Sequence, residues 1–265
     1  MQLDKETNDL LRSKYNPQGS KLRQLQLREL EILLYIDKFC KKNNIKYWLS
    51  GGSCLGAVRH NGFIPWDDDI DIEMLDKDYR RFERLMLSES ENNNYIFHCR
   101  KSDPNYFLSF GKVRDLCSII HESKGFDKYY RYKGCFVDVF PVAPSNSIKL
   151  YAIGLRIGSK IQNATFNRHR ISFIFWKTIS KLSTPLLMLL SSIGAGNHYR
   201  YRIGVPFSNK LNLNDFSETI DVKFENLILP IPKNYHSYLT QMYGNYMSIP
   251  SDTEIQTHTN NFELW

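Results

Sequence analysis

The sequence predicts an α+β fold, in which helices flank a mixed β-sheet core and a mainly helical C-terminal half follows. Three observations carry this prediction. Apolar residues recur at helical spacing from Leu22 to Asn43, and short apolar runs typical of strands follow between residues 45 and 141. From Ile148 onward, longer apolar stretches mixed with lysine and arginine replace the strands. With 265 residues, 42% of them hydrophobic, the chain can bury a substantial core.

The predicted elements of the core follow in order. The helix from Leu22 ends near Asn43, where two lysines and two asparagines stop the apolar pattern. The glycine turn Gly51-Gly52-Ser53 then separates a first strand from a short helix. The predicted segments are strand 45–50, helix 54–60, strand 69–72, helix 76–87 and strands 95–99, 107–113 and 135–141.

A run of carboxylates, Asp67, Asp68, Asp69 and Asp71, falls within five positions. In a strand, Asp69 and Asp71 share one face with Asp67 and Glu73, while Ile70 and Ile72 point into the core. Two carboxylates about 4 Å apart repel by roughly 4 kcal/mol at an effective dielectric of about 20. A fold keeps such a pair only if a cation neutralises it or one member stays protonated. Oxygen ligands alone suit Mg²⁺, with Mn²⁺ as the alternative; a solvated acidic turn is the plainer interpretation.

Phosphate-binding candidates precede this run. Gly51 and Gly52, followed by Ser53, leave backbone N–H groups that a phosphate can approach closely, although a plain turn explains them equally simply. Arg59 could clamp a phosphate with its planar donor fork or form a salt bridge to the acid run. His60 could orient a phosphate or pair with a carboxylate.

A third acid and two bases come later in the chain. Asp138 stands alone in an apolar strand, where an unpaired charge is costly, unless it faces water from an edge. Lys112 and Arg114 are two residues apart and share a strand face. Near the acid run they could neutralise a diphosphate; otherwise they form a surface ladder with Asp115.

A strand, a Gly-Gly-Ser turn, a short helix and an Asp-apolar-Asp strand form an order that resembles the nucleotidyltransferase fold, which usually adds a third carboxylate from a neighbouring strand. The segment LGAVRHNGFIPWDDDIDIEM, residues 55–74, resembles the signature of the LicD family of phosphocholine transferases. Fukutin-related phosphoribitol transferases are similar. Weaker likeness extends from Leu22 to His258, through residues 22–52, GKVRD (111–115), VDVFPV (137–142) and YGNYMSIP (243–250).

This resemblance implies a metal-dependent phosphotransferase. The group moved would be a phospho-alcohol, with phosphocholine from CDP-choline favoured, and the acceptor a hydroxyl of a cell-surface glycan such as lipopolysaccharide or teichoic acid. Asp69, Asp71 and Asp138 are the predicted catalytic and metal-binding residues. The predicted phosphate-binding residues are Gly51, Gly52, Ser53, Arg59, His60, Lys112, Arg114 and His258. Two alternatives stay open: a nucleotidyltransferase that acts on a small acceptor, and a non-catalytic glycan- or membrane-binding protein.

The predicted organisation has three parts. Residues 1–21 are polar, contain the turn Asn16-Pro17-Gln18-Gly19 and are expected to form a loose arm. Residues 22–147 form the nucleotidyltransferase-like catalytic core. Residues 148–265 form a helical, basic region packed on the core, on its acceptor or membrane side.

Charge and composition bear on partners and location. A formal charge of +7 favours anionic partners, and no recognition helix or stacking motif points to nucleic acid. The apolar run 182–195 is shorter than the roughly 20 residues of a membrane span, so residues 148–203 form either core helices or a basic surface lying on an anionic bilayer. Five dispersed cysteines and a polar N-terminus favour the cytoplasm. A lipid-linked acceptor would bring the protein to the inner face of the cell membrane.

Overall fold

The computed structural model describes residues 3–89, 94–122, 125, 128–167, 169–251, 253, 255 and 259–264. Its strands are β1 (Trp48–Leu49), β2 (Asp71–Leu75), β3 (Tyr95–His98), β4 (Gly111–Asp115), β5 (Ser118–Glu122), β6 (Phe136–Pro144), β7 (His198–Tyr201), β8 (Leu211–Asn212), β9 (Thr219–Phe224), β10 (Leu227–Pro232) and β11 (Thr259–Leu264). Its helices are α1 (Lys5–Tyr15), α2 (Lys21–Lys42), α3 (Gly51–His60), α4 (Asp76–Glu89), α5 (Ile148–Phe166), α6 (Arg170–Ser192), α7 (Leu213–Phe216) and α8 (Tyr235–Tyr243).

A seven-stranded mixed sheet lies at the centre of the described residues. Five strands follow the order β1-β2-β6-β4-β3, and β7 extends the sheet from β6 to β8. Strands β2 and β6 run parallel, whereas β1 and β4 pair antiparallel with them. The predicted α+β class, a mixed sheet flanked by helices, is confirmed.

Helix α2 matches its prediction to within one residue at each end. Ser20 caps its N-terminus by accepting a hydrogen bond from the Arg23 backbone N–H, and Asn43 follows its last turn. Its apolar stripe is buried within the hydrophobic core, through Leu25, Ile32, Leu33, Ile36 and Phe39. The helix therefore packs on the sheet as its periodicity predicts.

The N-terminal segment differs from its prediction as a loose arm. It forms helix α1, capped by Asp4, whose side chain accepts from the Thr7 backbone N–H. Arg12 makes a 3.2 Å salt bridge to Glu225, and Tyr15 packs edge-on against Trp66. Tertiary partners more than 50 residues away thus hold a helix whose own sequence is mostly polar.

Several boundaries also shift. The predicted strand 45–50 shrinks to two residues, and the strand predicted over 107–113 begins only at Gly111. The predicted glycine turn is instead the first turn of α3, which begins at Gly51 with φ +48°, a conformation that favours glycine. Strand β2 begins at Asp71, so Asp69 lies in the extended segment that leads into it.

The C-terminal region contains strands as well as helices. Helices α5 and α6 form a hairpin inserted between β6 and β7, and β7 then rejoins the central sheet. The antiparallel hairpin β9–β10 and helix α8 follow and pack near β1 and α3. Helix α6 is long and apolar enough to cross a membrane by length and composition alone.

Candidate functional site

Asp71 and Asp138 occupy paired positions on the parallel strands β2 and β6. Lys112 on β4 pairs with Asp138 from the other side, and its Nζ lies 2.7 Å from Asp138 Oδ1. Paired residues of neighbouring strands project to the same face of the sheet, so the three side chains form one row. Because both the lysine and Asp138 are buried, each charge depends on the other for compensation.

The remaining aspartates crowd this row from the segment before β2. Burial raises the pKa of Asp71 well above its usual range, and repulsion from Asp69, Asp138 and Asp67 adds to the shift while Lys112 opposes it. Burial likewise raises the pKa of Asp67, together with repulsion from Asp69 and a hydrogen bond between the two carboxyls. The structure therefore brings the acid run and the later aspartate into one electrostatic cluster.

The N-terminus of α3 lies directly against these carboxylates. A Cβ atom on Gly52 would lie 2.8 Å from Asp67 Oδ2, and one on Gly51 would lie 3.3 Å from the Tyr243 hydroxyl. The Ser53 hydroxyl accepts a 2.9 Å hydrogen bond from the Asp71 backbone N–H. Both glycines are thus needed for close approach, and the first N–H groups of a helix are a favourable place for anionic oxygens.

Arg59 and His60, at the other end of α3, hold the C-terminal segment. Arg59 Nη1 donates to the carbonyl oxygens of Tyr246 and Ser248, at 2.8 and 2.9 Å, and its Nε donates to His60 Nε2. His60 Nδ1 lies 2.7 Å from Asn8 Oδ1. Burial lowers the pKa of Arg59 to about 10 and, with the charge of Arg59, that of His60 to about 3. These contacts give both side chains a positioning role between α1, α3 and residues 246–248.

Arg114 shares the face of Lys112 but is held by a separate polar chain. Its Nε donates to His98 Nδ1 at 3.0 Å, and its Nη1 donates to the Gly134 carbonyl oxygen at 2.7 Å. His98 Nε2 in turn donates to Asp103 at 2.9 Å, and burial lowers the pKa of the imidazole to about 4. Because Lys112 and Arg114 are both buried, they do not form the surface ladder that the sequence left open.

Two further residues stand apart from the row. Glu73, which the strand alternation predicts on the face of Asp71, is fully buried and accepts hydrogen bonds from Trp48, Ser50, Tyr201 and Tyr238. It therefore joins β1, β2, β7 and α8 as a structural residue. His258 lies outside the described residues.

Glu29 on α2 is a buried carboxyl that the sequence interpretation missed. It has no solvent exposure, and neither carboxyl oxygen has a hydrogen-bond partner among the described residues. Burial raises the pKa of Glu29 well above its usual range, and repulsion from Asp69, Asp68, Asp67 and Asp138 adds to this. The available signal was its place on the apolar stripe of α2, four residues after Leu25 and three before Ile32.

The donor set is compatible with a hard divalent cation. Carboxylate oxygens from the acid run and Asp138 are the ligands that Mg²⁺ and Mn²⁺ prefer, and their mutual repulsion would be relieved by a cation. Among the residues that the structure describes, no three acidic, histidine or cysteine side chains already form a closed metal-binding group. A bound metal would therefore draw these side chains closer and would compete with Lys112 for Asp138.

The family model described as LicD/FKTN/FKRP, nucleotidyltransferase domain, matches residues 44–175. Lipopolysaccharide cholinephosphotransferase LicD of Haemophilus influenzae is 29% identical over 257 residues, which cover 89% of this chain and 95% of that protein. The chain belongs to the LicD family. Ribitol 5-phosphate transferase FKRP of Homo sapiens is 38% identical over 60 residues, 23% of this chain and 12% of its own. Ribitol-5-phosphate transferase FKTN of Mus musculus is 30% identical over 97 residues, 37% of this chain and 18% of its own.

The LicD match covers the strands that build the site. Residues 44–175 include α3, the acid run, Lys112 on β4 and Asp138 on β6. Glu29 and the Tyr246–Ser248 segment lie outside it, although the alignment with the Haemophilus protein extends over most of the chain. The relatives with assigned activities are phosphotransferases, and this chain is a phosphotransferase of the same family.

Proposed function

We propose that this LicD-family enzyme transfers phosphocholine from CDP-choline to a hydroxyl group of a lipid-linked, cell-surface glycan of the lipopolysaccharide or teichoic acid type. The similarity to the Haemophilus LicD protein, along 95% of that protein, carries the proposal. The shorter similarities to FKRP and FKTN support transfer of a phospho-alcohol in general and make ribitol phosphate the alternative group.

Asp69, Asp71 and Asp138 are the proposed ligands for Mg²⁺, with Mn²⁺ as the alternative. The metal would screen the diphosphate of the donor and stabilise the departing nucleoside monophosphate. The support for this role is the crowding of these carboxylates, whose burial and mutual repulsion raise the pKa of Asp71. Family resemblance supports the same three residues.

The chain's own groups would bind and align the reactants. The start of α3 lies beside the carboxylates, and the N–H groups of Gly52 and Ser53 would hold phosphate oxygens of the donor. Lys112 would offset charge that develops during an in-line transfer, since electrostatic stabilisation usually dominates phosphoryl-transfer catalysis. Asp138 would either bind metal or take the proton from the acceptor hydroxyl. The glycan would approach from the side opposite the leaving nucleotide.

The proposed location is the cytoplasm, with peripheral contact at the inner face of the cell membrane, where a lipid-linked acceptor would be reached. The excess of lysine and arginine, 35 against 28 acids, supports binding of an anionic donor and an anionic surface. Nucleic acid is not a proposed partner.

The test is release of CMP from CDP-choline, CDP-ribitol and CDP-glycerol, each with crude lipid-linked glycan and with either Mg²⁺ or EDTA. We expect magnesium-dependent CMP release, fastest with CDP-choline, and transfer of the alcohol phosphate to the glycan. Pyrophosphate release from a nucleoside triphosphate instead would assign nucleotidyl transfer. Lack of turnover with all three donors would leave a non-catalytic binding role.

A further inference from the structure

Helix α6 turns its apolar stripe outward. Its exposed positions recur every three to four residues and include Ile171, Ile174, Phe175, Leu182, Leu186, Leu189 and Leu190, with Ile193 just beyond the helix. Ile171 is 87% exposed and Leu182 is 72% exposed. At about 1.5 Å per residue, the stripe is roughly 35 Å long. A surface helix of a globular domain normally faces its apolar stripe to the core, so this reversed orientation requires a partner.

The opposite face of α6 packs against the catalytic core and forms hydrogen bonds with it. Lys177 Nζ donates to the Pro104 carbonyl oxygen at 2.6 Å, and Arg100 Nη1 donates to the Ser180 hydroxyl at 3.1 Å. Phe173 and Trp176 pack on an aromatic cluster of the core. A helix that crossed a bilayer would lose these contacts and bury the charge of Lys177 in hydrocarbon. The helix therefore lies along a surface, although its length and composition would allow it to span one.

The charge around the stripe selects its partner. Residues 139–214 contain ten lysines and arginines and no aspartate or glutamate. Among the described residues of the α5–α6 hairpin, the exposed bases are Lys149, Arg156, Lys160, Arg170 and Lys181. Two copies of this surface would bring positive charge against positive charge, whereas anionic headgroups complement the bases and acyl chains cover the stripe.

We propose that the α5–α6 hairpin docks the enzyme on an anionic lipid bilayer, with the stripe of α6 lying in the plane of the headgroup–acyl boundary and the exposed bases on lipid phosphates. The docking proposal rests on the peripheral membrane contact included in the proposed function, and it assigns that contact to the α5–α6 hairpin. The hairpin is also connected to the site. Tyr106 and Tyr130, in the cluster under α6, pack on His98, which holds Arg114. Docking would therefore present the site close to the headgroups that carry a lipid-linked glycan.

Flotation with vesicles tests the surface without any substrate. We expect the protein to float with phosphatidylcholine vesicles that contain ~30% phosphatidylglycerol, because the anionic lipid supplies the negative charge that the exposed bases bind. Binding should weaken on pure phosphatidylcholine and at high salt, because the headgroup attraction is screened. Leu182→Gln combined with Leu189→Gln should lower vesicle affinity at least about tenfold, since each buried apolar side chain contributes to interfacial binding. Leu10→Gln, an exposed leucine on α1, is the matched control and should bind like the wild type.

The outcomes distinguish failure of the membrane-docking proposal from failure of the phosphotransferase proposal. Neither leucine of α6 belongs to the site, so the double variant should release CMP at the wild-type rate with a soluble glycan fragment and lose activity only on acceptor in vesicles. Equal flotation of the wild type and the double variant would refute the membrane-docking role of the α6 stripe. So would failure of both to bind vesicles, or a wild-type dimer in gel filtration that the double variant abolishes. The CMP assay with soluble acceptor would still report on the phosphotransferase in each case.

Discussion

Asp71 and Asp138 occupy paired positions on two parallel strands, although they are 67 positions apart in the sequence. Neither strand alone explains why an aspartate is retained at that position. Repulsion from Asp138, and from Asp69 in the preceding segment, raises the free energy of the charged form of Asp71. Among the principal influences on the pKa of Asp71, only the Lys112 ammonium lowers it. A bound cation would relieve this repulsion, and the proposed chemistry depends on the pairing of Asp71 with Asp138.

Replacing Asp71 by Asn should abolish turnover while preserving the fold. The amide has nearly the same shape but loses the charge, so we expect the rate of CMP release to fall at least about 100-fold, as for loss of a principal electrostatic group in other enzymes. Thermal unfolding without metal should occur at the same or a higher temperature, because the substitution relieves repulsion. Asp221→Asn, at an exposed position on β9, is the control. Near wild-type turnover of the Asp71 variant would refute its role as a ligand.

Replacing Lys112 by Gln should destabilise the protein more than replacing Asp138 by Asn. The first change removes the ammonium that pairs with a buried carboxylate, and breaking a buried pair in this way costs about 3–5 kcal/mol. After the second change Lys112 still interacts favourably with the Asp71 carboxylate, so the loss is smaller. Urea unfolding in EDTA measures the loss, and a double-mutant cycle with Asp138→Asn isolates the pair. Added Mg²⁺ should restore part of the stability if the metal takes over neutralisation. A Lys112 variant as stable as the wild type would show that the pair contributes little.

Gly52→Ala tests the close approach of α3 to the carboxylates. The new methyl group would lie 2.8 Å from Asp67 Oδ2, so the aspartate must move and the geometry at the start of α3 must change. We expect turnover to fall about tenfold, since small misplacements at a reacting centre are costly, with little loss of secondary structure by circular dichroism. Gly158→Ala on α5 is the control, because the nearest atom to its added methyl lies 3.9 Å away. Equal activity of the two variants would show that phosphate binding does not require glycine at position 52.

The elements themselves could largely be predicted from the sequence, because they depend on local patterns. Helix α2 follows from its apolar period. The strand around Asp138 follows from an apolar run with a single charge, and the strand at Asp71 follows from acids that alternate with apolar residues. Helix α1 could not be predicted in this way. Its sequence is polar, and its partners, Glu225 and the carbonyl oxygen of His60, are brought to it only by the tertiary fold.

The roles of individual side chains were harder to predict for the same reason. For Arg59 the sequence left a phosphate clamp or a salt bridge to the acid run. The structure shows hydrogen bonds to main-chain oxygens of Tyr246 and Ser248, a type of partner that leaves no mark in a sequence. Glu73 has the spacing of a ligand but accepts four hydrogen bonds from residues on three other parts of the chain. Spacing predicts which face a residue occupies, whereas long-range packing decides what meets it there.

Glu29→Met should make the protein more stable and less sensitive to rising pH. The carboxyl of Glu29 has no partner among the described residues, and burial followed by repulsion from Asp69 raises its pKa, so the folded state holds a proton that the unfolded chain releases. Stability from this group is complete below the unfolded pKa and is lost as pH rises toward the folded one. Methionine fills a similar volume without that loss, and we expect a gain of about 1–3 kcal/mol at pH 8 in EDTA, the cost of an unsatisfied buried polar group.

Urea unfolding of the wild type and the Glu29 variant between pH 5 and pH 8 measures this difference, which should widen as pH rises. Glu31→Met, on the same helix at a position 59% exposed, is the control and should change stability by less than about 1 kcal/mol. If Glu29 also serves the site, the stabilised variant will bind Mn²⁺ more weakly by electron paramagnetic resonance and turn over more slowly, as when a strained active-site group is removed. A variant less stable than the wild type at pH 8 would mean that the carboxyl is favourably paired in the folded protein.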